Sequence, residues 1–127
     1  MYYIVETAKS PAQAATDLTE AVARNGFGLL HVHDLGTTLR SKGIAFEREC
    51  QVFEVCNPKQ AAGVLAADMR MNMALPCRVS VYTDGGKTWI GMIRPAPMLA
   101  MLSNDPALAA IAGEVEQTLT RIIDEAR

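Results

Sequence analysis

The stretch that decides the fold runs from residue 77 to residue 94 and reads CRVSVYTDGGKTWIGMIR. Two segments rich in β-branched and aromatic residues, Cys77 to Thr83 and Thr88 to Arg94, flank the tetrapeptide Asp84-Gly85-Gly86-Lys87. Because glycine adopts positive φ without strain, a glycine pair between two such segments indicates a tight hairpin. The sequence therefore predicts two adjacent antiparallel strands here.

Three more strands are predicted upstream of this hairpin from their aromatic, β-branched and large aliphatic residues. They cover Tyr2 to Val5, Phe27 to His33 and Glu49 to Cys56. A short helical turn is expected over Leu35 to Lys42, before Gly43.

Three helices are predicted from one repeated start signal, a capping side chain followed by proline. The signals are Ser10-Pro11, Asn57-Pro58 and Asp105-Pro106. The first helix is expected to end at Asn25-Gly26. The second is expected to carry Ala61, Ala62, Val64, Leu65 and Met69.

The third helix has the clearest amphipathic pattern, with one face apolar and the opposite face polar. The apolar face comprises Leu108, Ile111, Ala112, Val115, Leu119, Ile122 and Ile123. The polar face, which includes Glu114 and Glu116, is expected to face water. This helix should therefore pack across a sheet.

The predicted order is β-α-β-(short α)-β-α-β-β-α, with no linker or internal repeat. A hairpin combined with helices that do not alternate strictly with strands favours an α+β fold. We expect residues 1–127 to form a single domain with a mostly antiparallel sheet and helices packed on one face.

Composition and charge argue against several classes of protein. The formal net charge is −2 and no run of Lys or Arg is present, so nucleic acid is not an expected partner. No segment approaches the roughly 20 apolar residues of a membrane span; the apolar segment 95–102 is interrupted by Pro95 and Pro97. An odd number of cysteines, three, argues against a paired secretory framework and favours a cytoplasmic location.

Several motifs resemble the DUF302 family of bacterial and archaeal domains. The most specific are Val55-Cys56-Asn57-Pro58 and the segment Leu75 to Val81, which contains Leu75-Pro76-Cys77. The glycine hairpin, Arg94-Pro95 and Gly26-Phe27-Gly28 also fit the family. The resemblance covers residues 1 to about 97 and leads us to expect the C-terminal helix as well.

The resemblance implies a compact α+β domain with an antiparallel sheet backed by helices, often found as a homodimer. It implies little chemistry, because the family has no assigned function. Cys56 and Cys77 are the positions that match the family pattern, whereas His31 and His33 are not part of it.

Cys56 and Cys77 are the first candidates for a site. Cys56 is predicted to end a strand just before a helix N-terminus, where the positive end of the helix dipole favours a thiolate. Cys77 begins the next strand, so the two residues could carry thiol redox chemistry or hold a soft metal. Alternatively, both pack as small hydrophobic side chains, as buried free cysteines often do.

Weaker candidates lie on the strands. His31 and His33 are two residues apart and project from one face of their strand, which suits a metal. Glu54, with Glu47 and Glu49, could serve acid–base chemistry, although charged residues alternating with apolar ones are typical of a solvated strand face. We predict no firm metal site, and the sequence indicates no cofactor.

Two methionine-rich stretches, Met69 to Met73 and Pro97 to Leu102, could line a ligand pocket or a subunit interface, because methionine adapts to irregular partners. The second stretch contains Met98 and Met101. Packing in the core is the alternative for both. No catalytic motif is present, so an enzyme is not the favoured interpretation. The leading hypothesis is a dimeric small-ligand-binding or accessory protein; the alternative is thiol-redox or soft-metal handling by Cys56 and Cys77.

Overall fold

The computed structural model describes all of residues 1–127. The five strands are β1 (Tyr2–Thr7), β2 (Gly28–Asp34), β3 (Cys50–Cys56), β4 (Cys77–Asp84) and β5 (Lys87–Ile93). The five helices are α1 (Pro11–Arg24), α2 (Leu35–Ser41), α3 (Pro58–Ala67), α4 (Pro95–Ala100) and α5 (Pro106–Ala126). A 3-10 helix spans Met69–Ala74.

The strands form one sheet in the order β1-β5-β4-β3-β2, and every neighbouring pair is antiparallel. The β4–β5 hairpin turns at Gly85 and Gly86, whose φ angles of 60° and 76° fit the predicted glycine turn. The α+β fold, the antiparallel sheet and the order of strands and helices are all confirmed.

The three predicted helix starts are confirmed by their capping hydrogen bonds. The side chain of Ser10 accepts from the amide of Gln13, that of Asn57 from Gln60, and that of Asp105 from Ala107. Each cap is followed by proline at the first helical position, where the missing N–H costs nothing.

One local prediction was wrong, and one helix was not predicted. Helix α3 does not reach Met69, because the extended Asp68 ends it and its side chain caps the 3-10 helix by accepting from the amide of Arg70. The segment interrupted by Pro95 and Pro97 is helical, since both prolines lie in the first turn of α4, where no intrahelical donor is lost.

The apolar interior has two parts. The main cluster joins the inner face of the sheet to α1 and the C-terminal half of α5, with Phe53, Leu18 and Ile122 among its buried members. The second cluster joins α3, the 3-10 helix, α4 and the start of α5 through Val64, Met71, Leu99, Leu108 and Ala112. Helix α5 therefore contributes to both clusters.

The opposite face of the sheet has no helical layer, and we call it the open face. Alternation along the strands places Tyr2, Ile4, Tyr82 and Ile93 there, on three adjacent strands. Tyr2, Ile4 and Ile93 are exposed, so this face presents apolar side chains to water. No helix in the chain is both long and apolar enough to cross a bilayer.

The position of Ile122 in the main cluster generates a stability prediction. Ile122 is 0% exposed, whereas Ile44 is 51% exposed in a loop. Ile122→Ala should lower the free energy of unfolding by about 2–5 kcal/mol, because it removes buried methyl groups and leaves a cavity. Ile44→Ala should change it by less than about 0.5 kcal/mol. Urea denaturation measures both, and equal losses would contradict the assignment of the core.

Candidate functional site

A pocket of ≈ 220 Å³ lies between the two apolar clusters, and we call it the α3 pocket. Its walls come from α3, α4, α5 and the ends of β3 and β4, and the surface inside it is apolar. The lining residues are Phe27, Val55, Cys56, Asn57, Gln60, Ala61, Val64, Leu65, Leu75, Pro76, Cys77, Pro95, Leu99, Ala112 and Val115.

The pocket exists because the two clusters meet there without filling the space between them. Val55 and Val115 belong to the main cluster, while Val64 and Leu99 belong to the second one. Helix α3 nevertheless lies close to α5, since a Cβ on Gly63 would stand 2.9 Å from Cδ1 of Ile111. A side chain at position 63 would press on the end of the Ile111 side chain, which would have to move.

Both candidate cysteines line the α3 pocket. Cys56 is the last residue of β3 and is paired with Gly28, whereas Cys77 is the first residue of β4 and is paired with Val55. Cys77 also packs against the main cluster. All three cysteines of the chain are free thiols, and Cys50 lies at the far end of β3.

The Cys77 thiol is held in its protonated form. Burial, with a smaller contribution from the neighbouring Cys56, raises the pKa of Cys77 to about 11. The thiolate is the form of cysteine that attacks electrophiles and binds metals. At neutral pH the Cys77 side chain is therefore a small, weakly polar part of the pocket wall.

Gln60, which lines the pocket, carries an unusual polar group. Its side-chain oxygen Oε1 is buried and accepts no hydrogen bond, and it is the one buried side-chain nitrogen or oxygen in the chain without a partner. The residue is fixed in place from its backbone, because its amide donates to the Asn57 side chain at the start of α3. A buried carbonyl without a donor is costly, which makes this oxygen a feature to explain.

Glu116 holds α4 against α5 and so shapes the pocket wall. Its carboxylate accepts from the Arg94 guanidinium at 3.1 Å and from the backbone amide of Ala96 at 3.1 Å. The bond to Arg94 is charge-assisted. The bond to Ala96 satisfies a backbone N–H that has no partner within the first turn of α4. Pro95 and Leu99, which follow Arg94, are thereby kept at the pocket.

The histidine candidates lie elsewhere, on the open face. Nε2 of His33 donates to Oε1 of Glu54 at 2.5 Å, and this hydrogen bond is the main cause of a lowered pKa for Glu54. The His31 and His33 rings meet edge to face, with centroids 4.4 Å apart. No group of three or more His, Cys, Asp or Glu side chains is arranged to hold a metal ion.

The two methionine candidates, Met98 and Met101, lie in different environments. Met98 lines a second depression of ≈ 330 Å³ on the open face, the sheet-face groove, together with Tyr2, Ile4, Tyr82 and Ile93. Met101 is largely exposed after the end of α4 and lines neither depression. The groove and the α3 pocket adjoin each other, because Pro76, Cys77 and Pro95 line both.

The sequence did not single out Gln60 or Glu116. Glu116 was placed on the wet face of the last helix, and the position of α4 was needed to see its role. Gln60 follows a helix start, where a polar residue is ordinary. The capping pattern itself could have drawn attention to Gln60, because a side chain at the third position of a helix lies near the preceding strand.

Comparisons with known proteins agree on the family. The family model "Domain of unknown function DUF302" matches residues 3–126. The crystal structure of an uncharacterized conserved DUF302 protein from Bacillus stearothermophilus superposes with a TM-score of 0.94 at 35% sequence identity, covering 99% of this chain and 98% of that one. No match was found among curated proteins.

The raised pKa of Cys77 generates a prediction about stability in alkali. A thiol whose pKa rises from 9.0 to about 11 on folding favours the folded state fully below pH 9, and this contribution is lost as the pH rises towards 11. Between pH 8 and pH 10.5 the wild type should lose about 2 kcal/mol more unfolding free energy than Cys77→Ala.

Urea denaturation across this pH range measures the difference. Cys56→Ala is the matched control and should keep most of the pH dependence, because burial is the larger cause of the shift in Cys77. A Cys77→Ala variant that follows the wild-type curve would contradict the protonated, buried thiol.

Proposed function

Because the chain belongs to the DUF302 family, we propose its function from its geometry: it is a small-ligand-binding domain that holds a mainly apolar molecule in the α3 pocket. One observation carries the proposal, namely an apolar pocket beside both signature segments. Cys56 and Asn57 line it from the first segment, and Leu75, Pro76 and Cys77 from the second.

The size of the pocket suits one small molecule. An apolar cavity of about 150 Å³ is large enough for benzene. At ≈ 220 Å³, the α3 pocket fits a single substituted ring or a short branched chain. Small-molecule sites are commonly apolar with a few placed polar groups, and Gln60 and Asn57 are the polar residues in this wall.

The apolar open face supports a homodimer as the second part of the proposal. Tyr2, Ile4 and Ile93 are exposed side by side on β1 and β5, and contiguous exposed apolar surface marks an interaction site. Both signs of charge border it, since Glu6 pairs with Lys87 and Glu54 lies near Arg78. In a two-fold symmetric dimer, the same surface of each chain contacts that of its partner. The acidic side chains of one chain can therefore face the basic side chains of the other.

Thiol-redox or soft-metal handling by Cys56 and Cys77 is the alternative. Its support is that both residues line one pocket. The protonated state of Cys77 at neutral pH argues for ligand binding instead, because both alternative chemistries need a thiolate. We also propose a cytoplasmic location, since three free thiols suit a reducing compartment.

Filling the pocket tests ligand binding. Ala61 lines the α3 pocket, whereas its neighbour Ala62 is exposed on the outer face of α3. Native mass spectrometry of protein purified from its own cells should find a small bound molecule on the wild type and on Ala62→Leu. Ala61→Leu should lack it, because the added side chain occupies the pocket. A wild type without any ligand, or an Ala61→Leu variant that keeps it, would count against the proposal.

A charge on the open face tests the homodimer. Ile93 is 50% exposed on β5, and Leu102 is 53% exposed after α4. Light scattering during gel filtration should give twice the chain mass for the wild type and for Leu102→Glu. Ile93→Glu should be a monomer with an unchanged circular dichroism spectrum, because the carboxylate would be buried without a partner. A monomeric wild type would refute this interface.

A further inference from the structure

The Gln60 side chain is the strongest clue to the class of ligand, and the inference drawn from it rests on the proposed function. Its oxygen Oε1 is buried without a donor, although the rest of the described chain satisfies its buried side-chain polar atoms. No protein group donates to it, and the surface inside the pocket is apolar. A ligand that carries a donor group and enters the pocket can supply the missing hydrogen bond.

We propose that the α3 pocket selects an apolar molecule that carries one hydrogen-bond donor, of the phenol or alcohol class, and that Gln60 accepts its hydrogen bond. In the free chain, neighbouring atoms cover the oxygen. The proposal requires this oxygen to turn towards the pocket, and the terminal torsion of glutamine is soft enough to allow such a rotation while the helix stays in place. The Asn57 cap keeps the backbone of Gln60 fixed during this rotation.

The other polar groups near the pocket do not compete for this role. The side-chain oxygen of Asn57 already accepts from the amide of Gln60, and the Cys77 thiol is a weak donor and acceptor. No cationic or anionic side chain lines the pocket. A charged ligand would lose its hydration there without gaining a partner, which restricts the class to neutral molecules.

A pair of probes of nearly equal shape isolates the hydrogen bond. p-Cresol and p-xylene differ by a hydroxyl in place of a methyl group. Calorimetry should be run with both probes on the wild type, Gln60→Leu and Gln117→Leu, which changes an exposed glutamine on α5. The measured quantity is the dissociation constant for p-cresol divided by that for p-xylene in each protein. The two probes differ in hydration, but this difference is the same for every protein and cancels when the ratios are compared.

We expect Gln60→Leu to lower the affinity for p-cresol relative to p-xylene by about tenfold or more, the worth of one ordinary hydrogen bond. Gln117→Leu should keep the wild-type ratio. Gln60→Leu should also unfold at the same or a higher urea concentration than the wild type, since it removes an unsatisfied buried oxygen. Gln60→Met, which is unbranched, provides the same comparison if the leucine variant folds poorly.

The outcomes separate this inference from the proposed function. If p-xylene and p-cresol both bind, Ala61→Leu abolishes both, and Gln60→Leu leaves their ratio unchanged, the pocket binds ligands but the role of Gln60 is wrong. If neither probe binds the wild type, both the pocket as a ligand site and the role of Gln60 are wrong. If p-cresol loses affinity relative to p-xylene in Gln60→Leu but not in Gln117→Leu, both the pocket and the role of Gln60 are supported.

Discussion

Helix α5 has one apolar stripe that must serve two partners, and the rest of the structure depends on this division. Its C-terminal half, with Leu119, Ile122 and Ile123, covers the inner face of the sheet. Its first turns, with Leu108 and Ala112, pack instead against α3, α4 and the 3-10 helix. Because a straight helix cannot follow both surfaces, a space remains where the partners meet, and this space is the α3 pocket.

The residues around that space have separate tasks. Glu116 connects α5 to Arg94 and to the backbone of α4, which keeps one wall in position. Gly63 allows α3 to approach Ile111 closely. Cys77 contributes a protonated thiol, since burial raises its pKa to about 11, and Gln60 contributes the one unsatisfied buried oxygen. Together these features favour the binding of a neutral molecule over covalent chemistry.

Local signals in the sequence were sufficient for the architecture. The glycine hairpin and the three proline-containing helix starts are each decided within a few residues, and the structure has all four. The end of α3 and the existence of α4 were missed. The two prolines of α4 interrupt an apolar run of the sequence, yet both lie in the first turn of the helix, where proline is tolerated.

The site was predictable only in part. The signature motifs pointed to Cys56 and Cys77, and both do line the pocket. His31, His33 and Glu54 face the open side of the sheet, which their strand pattern allowed. Glu116 could not be found from sequence, because its role comes from neighbours far away in the chain. The capping pattern marks the position of Gln60 but not its unsatisfied oxygen. The unsatisfied oxygen of Gln60 and the hydrogen bonds by which Glu116 connects α5 to α4 depend on packing, so residue type alone does not predict them.

A crystal structure of the wild-type protein soaked with p-cresol would show whether the α3 pocket binds the probe and whether Gln60 accepts its hydrogen bond. We expect density for the ring among Val64, Leu99 and Cys77, with the hydroxyl within hydrogen-bonding distance of Oε1 of Gln60. Density for the probe in the sheet-face groove with an empty α3 pocket would contradict this expectation.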